Sequence, residues 1–132
     1  MEQHQKNAFA IAKWLQKQPR VQYVLYPGLK NHPGYEINKA QTTGFGGMIS
    51  FAVDNAETAR QILEGVKLIK FAESLGGTES LITYPIRQTH TDLTAEECAE
   101  KGITDCLLRF STGIEATQDL IDDLAQAFAA IE

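Results

Sequence analysis

The sequence predicts an α+β domain: a small antiparallel or mixed sheet covered by helices on one face. Two observations support this fold class. Helical and strand patterns interleave along the chain, and the predicted strands are few and short. The predicted order is helix, strand, strand, helix, strand, a further strand without assigned bounds, helix, strand and helix. No internal repeat or low-complexity linker interrupts this order, so we expect residues 1–132 to form a single domain.

Apolar residues at i, i+3, i+4 and i+7 predict a helix near each end of the chain, over residues 4–18 and 117–131. Pro19 is expected to end the first of these helices, because proline cannot continue a helix. The apolar stripes consist of Ala8, Ile11, Ala12 and Leu15 in the first helix, and Leu120, Ile121, Leu124 and Phe128 in the last.

Capping patterns predict two further helices in the middle of the chain. Residues 54–57 read acid-x-x-Glu, which is typical of a capping box, and Gly65 closes the helix that follows. Residues 94–97 form a clearer box, Thr-Ala-Glu-Glu, for a brief helix that ends at residues 101–102.

Short β-branched, aromatic or alternating runs predict the strands. Their predicted bounds are 21–26, 47–53, 66–69 and 105–111. The polar stretch 29–43 is expected to be a loop with a short helical turn.

Composition excludes several classes of function. The net charge is −5, and the twelve Lys and Arg residues are scattered, which argues against a nucleic-acid surface. No window approaches the roughly 20 apolar residues that a membrane helix needs. The first residues are polar and lack the apolar segment of a secretory signal. Cys98 and Cys106 have neither a disulfide nor a zinc pattern. We therefore expect a cytoplasmic domain without nucleic-acid or membrane partners.

One arginine stands out by its position in the last predicted strand. Side chains alternate along a strand, so Leu108 and Phe110 point one way while Arg109 and Ser111 point the other. A guanidinium presents a planar fork of donors that matches a carboxylate. Taken by itself, however, a strand arginine is more often a solvent-exposed surface residue.

Three motifs in fixed order suggest a family. Residues 71–85 read Phe-Ala-Glu-Ser-Leu-Gly-Gly-Thr-Glu-Ser-Leu-Ile-Thr-Tyr-Pro, a Thr-His pair follows at 89–90, and residues 107–115 read Leu-Leu-Arg-Phe-Ser-Thr-Gly-Ile-Glu. The last run is similar to Leu-Ile-Arg-Leu-Ser-Val-Gly-Ile-Glu. Together they resemble the C-terminal domain of the Cys/Met-metabolism pyridoxal-phosphate enzymes: cystathionine γ-synthases, cystathionine γ- and β-lyases and methionine γ-lyases. The resemblance runs from about residue 8 to residue 127.

The resemblance implies a substrate-binding role for five residues. Arg109 matches the arginine that binds the substrate α-carboxylate, and Ser74 and the backbone around Leu75 match positions that touch the same group. Thr89 matches a residue that approaches the site. Glu73 matches an acidic position near the distal end of cystathionine-like substrates, which favours γ-synthase or γ-lyase activity over methionine γ-lyase activity.

The resemblance also implies that much of the enzyme lies outside this chain. No Ser-x-x-Lys segment of the kind that carries the cofactor lysine occurs in residues 1–132. We therefore expect pyridoxal 5'-phosphate to be bound by a preceding large domain, and this chain alone to be inactive. The expected partners are an amino-acid substrate, that large domain and further copies in a homotetramer. An isolated domain should expose an apolar patch where the large domain packs.

Alternatives remain open at the level of the sequence. The reaction could be that of a cystathionine β-lyase or a methionine γ-lyase. The domain could instead be a non-enzymatic module that binds amino acids or carboxylates through Arg109, or a purely structural or oligomerising domain. His4, His32 and His90 lack a neighbouring nucleophile motif, so we interpret each of them as a hydrogen-bonded structural residue.

Overall fold

Five strands form one mixed sheet in the computed structural model of the chain, which describes residues 1–131. The strand order across the sheet is β1-β2-β5-β4-β3. The pair β3–β4 is parallel, and the other neighbouring pairs are antiparallel. The strands are β1 Val21–Leu25, β2 Met48–Val53, β3 Lys70–Phe71, β4 Leu81–Thr83 and β5 Leu107–Ser111. The helices are α1 Glu2–Leu15, α2 Tyr35–Gln41, α3 Ala56–Gly65, α4 Ala95–Glu100 and α5 Thr117–Ala129. This arrangement confirms the predicted fold class.

The main core lies between one face of the sheet and helices α1, α3 and α5. Alternate residues of the central strands supply it, and Phe51, Leu108 and Phe110 are completely buried. The apolar stripes predicted for the terminal helices face this core. Of their residues, Ile121 and Phe128 are partly buried and the other six are buried. Within residues 1–131, no helix is both long enough and apolar enough to cross a membrane.

The fourth helix is an exception to the prediction that helices cover one face only. Cys98 of α4 packs against Ala52 and Leu107 in a small second cluster. Ala52 lies between the core residues Phe51 and Val53 in β2, so its side chain points to the opposite face of the sheet. The buried thiol of Cys98 therefore serves as an apolar contact for a satellite core.

Several helix and strand bounds differ from the predicted ones by a few residues. Helix α1 ends at Leu15, four residues before Pro19, because the chain tightens there into turns in which Lys17 N donates to Trp14 O and Gln18 N to Leu15 O. Strand β5 begins at Leu107, since Thr104 and the residues after it form a turn. Helix α2 buries no residue, so no apolar periodicity marks it in the sequence.

The two predicted capping boxes have different outcomes. At α4 the box is present as predicted, with reciprocal bonds between Thr94 and Glu97. At α3 the prediction is wrong by one residue, because Asn55 is the N-cap and its side chain accepts a hydrogen bond from Thr58 N. Asp54 instead pairs with Arg20, with 3.2 Å between the charged atoms.

The predicted strand over 66–69 is wrong, and a buried carboxylate explains why. Asp123 of α5 accepts hydrogen bonds from three consecutive backbone N–H groups, those of Lys67, Leu68 and Ile69, at 2.9 to 3.2 Å. These donors are therefore turned toward a helix and cannot join a ladder. Pairing with β4 begins only at Lys70. An aspartate in the last helix thus sets where β3 starts.

We expect Asp123→Asn to destabilise the chain by about 1–3 kcal/mol, because an amide nitrogen cannot accept the N–H groups that one carboxylate oxygen now binds. Urea unfolding of the variant measures this loss. The matched control is Asp122→Asn on the exposed side of the same helix, for which we expect a change within about 0.5 kcal/mol. Equal effects of the two substitutions would contradict this account of the 67–69 segment.

Tyr26 joins three parts of the chain around one phenol. The residue is completely buried, and its hydroxyl donates to Gly46 O at 2.9 Å and lies 3.5 Å from Gln5 O. Burial raises the pKa of Tyr26 from 10.0 to about 12, because the anion would be desolvated. The phenol therefore keeps its proton in the folded state at pH values where the unfolded chain loses it.

The stability that the protonated Tyr26 contributes should be fully present below about pH 10 and should fall as the pH rises toward 12. The raised pKa corresponds to a loss of up to about 3 kcal/mol. We expect the difference in unfolding free energy between the wild type and Tyr26→Phe to shrink by this amount over that range. Tyr23→Phe, at an exposed position, should leave the pH dependence unchanged. Parallel pH curves for wild type and Tyr26→Phe would contradict the assignment.

Candidate functional site

Arg109 lies at the centre of the sheet, on the face opposite the main core. It pairs across the ladder with Ser50 of β2 and with Thr83 of β4. Its neighbours Leu108 and Phe110 are buried among the core helices, so alternation brings Arg109 to the other face. The predicted orientation of this strand is confirmed.

One nitrogen of the Arg109 guanidinium makes the hydrogen bonds that hold the side chain in place. Nη2 donates to Glu73 O at 2.6 Å and to Thr83 Oγ1 at 3.2 Å. The Thr83 hydroxyl in turn donates to Ala72 O at 2.6 Å. Nε is shielded from solvent and has no partner within residues 1–131. The guanidinium is thus held in place while the donors of Nε and Nη1 have no hydrogen bonds within the described residues.

Three of the predicted site residues lie in an exposed segment next to Arg109. Glu73, Ser74 and Leu75 follow β3, and the backbone carbonyl of Glu73 is the group that Arg109 binds. The Glu73 carboxylate and the Ser74 hydroxyl have no hydrogen bond or ion pair among the described residues. Leu75 is 54% exposed. The structure therefore brings Arg109, Glu73, Ser74 and Leu75 into one region with free polar groups.

Polar contacts from β5 and the turn after it hold the same loop. Gly76 has φ +74, a left-handed conformation that favours glycine, and its N–H donates to Ser111 Oγ at 2.8 Å. Further along, the Glu115 carboxylate accepts from Ser80 N at 2.6 Å and from Ser80 Oγ at 2.9 Å. The loop is therefore tied to the strand that carries Arg109.

Thr89 lies in a turn after β4 and is not linked to the other candidates. Its hydroxyl is 2.7 Å from His90 Nδ1, and its backbone N–H donates to Pro85 O at 3.2 Å. Within residues 1–131, no hydrogen bond joins Thr89 to Arg109 or to the 73–75 segment. The structure thus gives Thr89 a local partner, and its approach to the site stays a prediction.

All three histidines take part in hydrogen bonds, in agreement with their structural interpretation. His32 Nδ1 accepts from Gly34 N at 3.0 Å, and His90 bonds to Thr89. His4 reaches further, since its Nε2 lies 3.0 Å from Gly77 O. This contact between α1 and the loop has no local sequence signal, because the two residues are 73 positions apart.

Residues that the sequence analysis missed surround Arg109. Thr83 orients its guanidinium, and Ser111 and Glu115 hold the adjacent loop. Ser111 could have been suspected, because it shares the strand face with Arg109. Thr83 had no such signal, since only the register between β4 and β5 brings it opposite Arg109.

Comparison with known proteins identifies a family of related enzymes. The family model described as "Cys/Met metabolism PLP-dependent enzyme" matches residues 1–129. A cystathionine gamma-lyase of Dictyostelium discoideum is 52% identical over 96% of this chain, and a cystathionine gamma-synthase of Haemophilus influenzae is 48% identical over 100%. Other relatives are named L-methionine gamma-lyase and cystathionine beta-lyase, at 48% and 46% identity.

The fold is shared with solved structures of the same group. The crystal structure of cystathionine gamma-lyase from Lactobacillus plantarum complexed with L-serine matches with a TM-score of 0.94 and 40% identity over 99% of this chain. The chain spans about a third of these proteins: 33% and 31% of the two relatives named first, and 34% of the solved chain. With its sequence and its fold in agreement, the chain belongs to the Cys/Met metabolism family of PLP-dependent enzymes.

Proposed function

We propose that this chain is the substrate-carboxylate-binding domain of a pyridoxal-phosphate-dependent transsulfuration enzyme. The observation that supports it best is the state of Arg109, which is fixed through Nη2 and has unbonded donors on Nε and Nη1 among the described residues. A carboxylate that approaches this face would meet a guanidinium that is already oriented. Less side-chain entropy is then lost on binding.

The neighbouring polar groups would complete the clamp. The Ser74 hydroxyl and the backbone near Leu75 lie in the exposed segment that Arg109 holds, and Thr89 would approach from the turn after β4. A substrate whose α-carboxylate is held at a fixed point has a restricted orientation about its Cα. Such restriction determines which bond at Cα is aligned for cleavage.

In the complete enzyme, residues outside this chain would hold the cofactor. The chain has no Ser-x-x-Lys segment, and its eight lysines are exposed in this structure, which supports this assignment. When bound in the complete enzyme, pyridoxal phosphate supplies the electron sink for chemistry at Cα. The residues described here would bind and orient the substrate, and the isolated chain would be inactive.

The face that carries Arg109 would also contact the rest of the enzyme. Tyr23 and Leu25 of β1 lie on this side of the sheet, and they are 40% and 42% exposed. Exposed apolar residues beside a substrate site suit a surface that packs against a large domain. We further propose a cytoplasmic homotetramer for the complete enzyme, on the strength of the family resemblance.

The proposed reaction is γ-elimination or γ-replacement on a sulfur amino acid of the cystathionine type. Glu73 supports this choice, since its free carboxylate could attract the distal ammonium group of cystathionine. Cystathionine β-lyase and methionine γ-lyase activities are the alternatives. The names of the relatives do not distinguish these reactions, because all of them occur at 46–52% identity.

Substitution of Arg109 tests the clamp in the full-length enzyme. L-methionine and 3-(methylthio)propylamine differ only in the α-carboxylate, so the ratio of their dissociation constants defines the carboxylate preference. Each dissociation constant can be measured by titration, from the change in visible absorbance of the bound cofactor. We expect Arg109→Ala to lower this preference by on the order of 10²-fold. Arg109→Lys should lower it by roughly tenfold, because it keeps the charge but not the fork.

The matched control is Arg60→Ala, which removes an exposed arginine that pairs with Glu57 and Glu64 on α3. We expect it to leave the carboxylate preference unchanged. A preference that is the same in Arg109→Ala and in Arg60→Ala would contradict the proposed function.

Substitution of Glu73 tests the substrate class. We expect Glu73→Gln to raise the dissociation constant of cystathionine about fivefold, which corresponds to the roughly 1 kcal/mol of an exposed charge pair. The dissociation constant of methionine, which lacks the distal ammonium group, should not change. Glu79→Gln, in the same exposed loop, serves as the control. Equal increases for both substrates would argue against a distal contact.

A further inference from the structure

Two polar side chains on one face of β5 hold the two ends of the substrate-binding segment. Arg109 Nη2 binds the carbonyl of Glu73, and Ser111 Oγ accepts the N–H of Gly76. The residues between these contacts are Ser74 and Leu75, which the proposed function places against the substrate carboxylate. The sequence motif that contains Arg109 therefore also contains Ser111, which holds the far end of the segment that Arg109 binds.

The path of the chain carries Ser74 and Leu75 from one of these contacts to the other. Strand β3 is parallel to β4, so the chain leaves β3 toward the end of β4 at which Thr83 pairs with Arg109. It then reverses and reaches Gly76 beside Ser111, the residue that pairs with Leu81 at the other end of β4. Ser74 and Leu75 thus cross the sheet between two fixed points.

Burial contributes little to the position of this segment. Every residue from 73 to 79 is exposed. In the described part of the chain, the Ser111 contact is the one hydrogen bond to the backbone of residues 74–76. Ser111 itself is 2% exposed, so its hydroxyl is buried on this face of the sheet and is shielded from competing water. The hydrogen bond therefore links a buried strand residue to the exposed residues 74–76.

We propose that Ser111 is a positioning residue, which sets the conformation of residues 74–76 and thereby the carboxylate preference of the site. This inference rests on the proposed function, because it assigns to Ser111 the support of the segment that binds the substrate. Ser111 acts through Gly76, whose left-handed conformation orients its N–H toward the serine hydroxyl. Arg109 provides the positive charge, and Ser111 determines where the Ser74 hydroxyl and the backbone near Leu75 lie.

The test uses the full-length enzyme with bound cofactor and the same pair of probes, L-methionine and 3-(methylthio)propylamine. We expect Ser111→Ala to lower the carboxylate preference about tenfold and to accelerate hydrogen exchange in the segment that contains residues 74–77. The matched control is Thr112→Val. It removes a buried hydroxyl one residue away, which binds His4 O and Gly47 O and does not touch the loop. The control should change thermal stability but not the preference.

A second variant approaches the same contact from the loop. Gly76→Ala places a Cβ at a left-handed position with no atom within 4 Å, so it strains the turn without filling any space in the core. We expect it to lower the carboxylate preference as Ser111→Ala does. Gly102→Ala, at a left-handed glycine beyond α4 with equally open surroundings, is the control and should leave the preference unchanged.

The outcomes separate this inference from the proposed function. If Ser111→Ala and Gly76→Ala match their controls while Arg109→Ala lowers the preference, the positioning role is wrong and the carboxylate clamp stands. If Arg109→Ala itself leaves the preference unchanged, the proposed function fails and the positioning role fails with it. If Ser111→Ala does not fold, the result for Gly76→Ala decides.

Discussion

The register of β5 between β2 and β4 is the constraint on which the rest of the structure depends. The strand is paired on both sides, and its alternate residues Leu108 and Phe110 are completely buried. A shift by one residue would expose these side chains and bury a guanidinium without a partner, which is costly on both counts. Apolar burial on one face therefore fixes the position of Arg109 on the other.

The site differs physically from the core that positions it. The core is held by apolar contacts, whereas the segment at residues 73–79 is exposed and relies on single hydrogen bonds to Arg109, Ser111 and neighbouring groups. Loops of this kind carry function because a rigid scaffold supports them. Here the scaffold extends beyond the strand, because Asp123 of the last helix determines where the chain enters β3.

Under the proposed function, this domain orients the substrate, and residues outside this chain carry out the chemistry. The charged donor that it offers at the site is the guanidinium of Arg109, a planar fork that matches a carboxylate. This division suits a family whose members are about three times as long as this chain, as the coverage of 31–33% indicates. The remaining residues of such enzymes would hold the cofactor, and this domain would select and align the amino acid.

Local patterns were sufficient to predict much of the fold. The stripes of α1 and α5, the capping box at Thr94 and the alternation around Arg109 depend on residues a few positions apart, and the structure confirms each of them. Prediction failed where a distant partner decided the outcome. The 66–69 segment has the composition of a strand, but a carboxylate more than 50 positions away binds its N–H groups.

The candidate site also combines features that local motifs predict with contacts that depend on distant residues. The motifs alone placed Arg109, Ser74, Leu75 and Glu73 in one family pattern, since those residues lie in short runs. The contacts that organise them join residues 26 to 36 positions apart: Arg109 with Thr83 and Glu73, Ser111 with Gly76, and Glu115 with Ser80. By itself, the sequence determined which chemical groups are present and which face of each element they occupy. Only the tertiary structure decided which of these groups meet, because strand register and loop path depend on the packing of the whole chain.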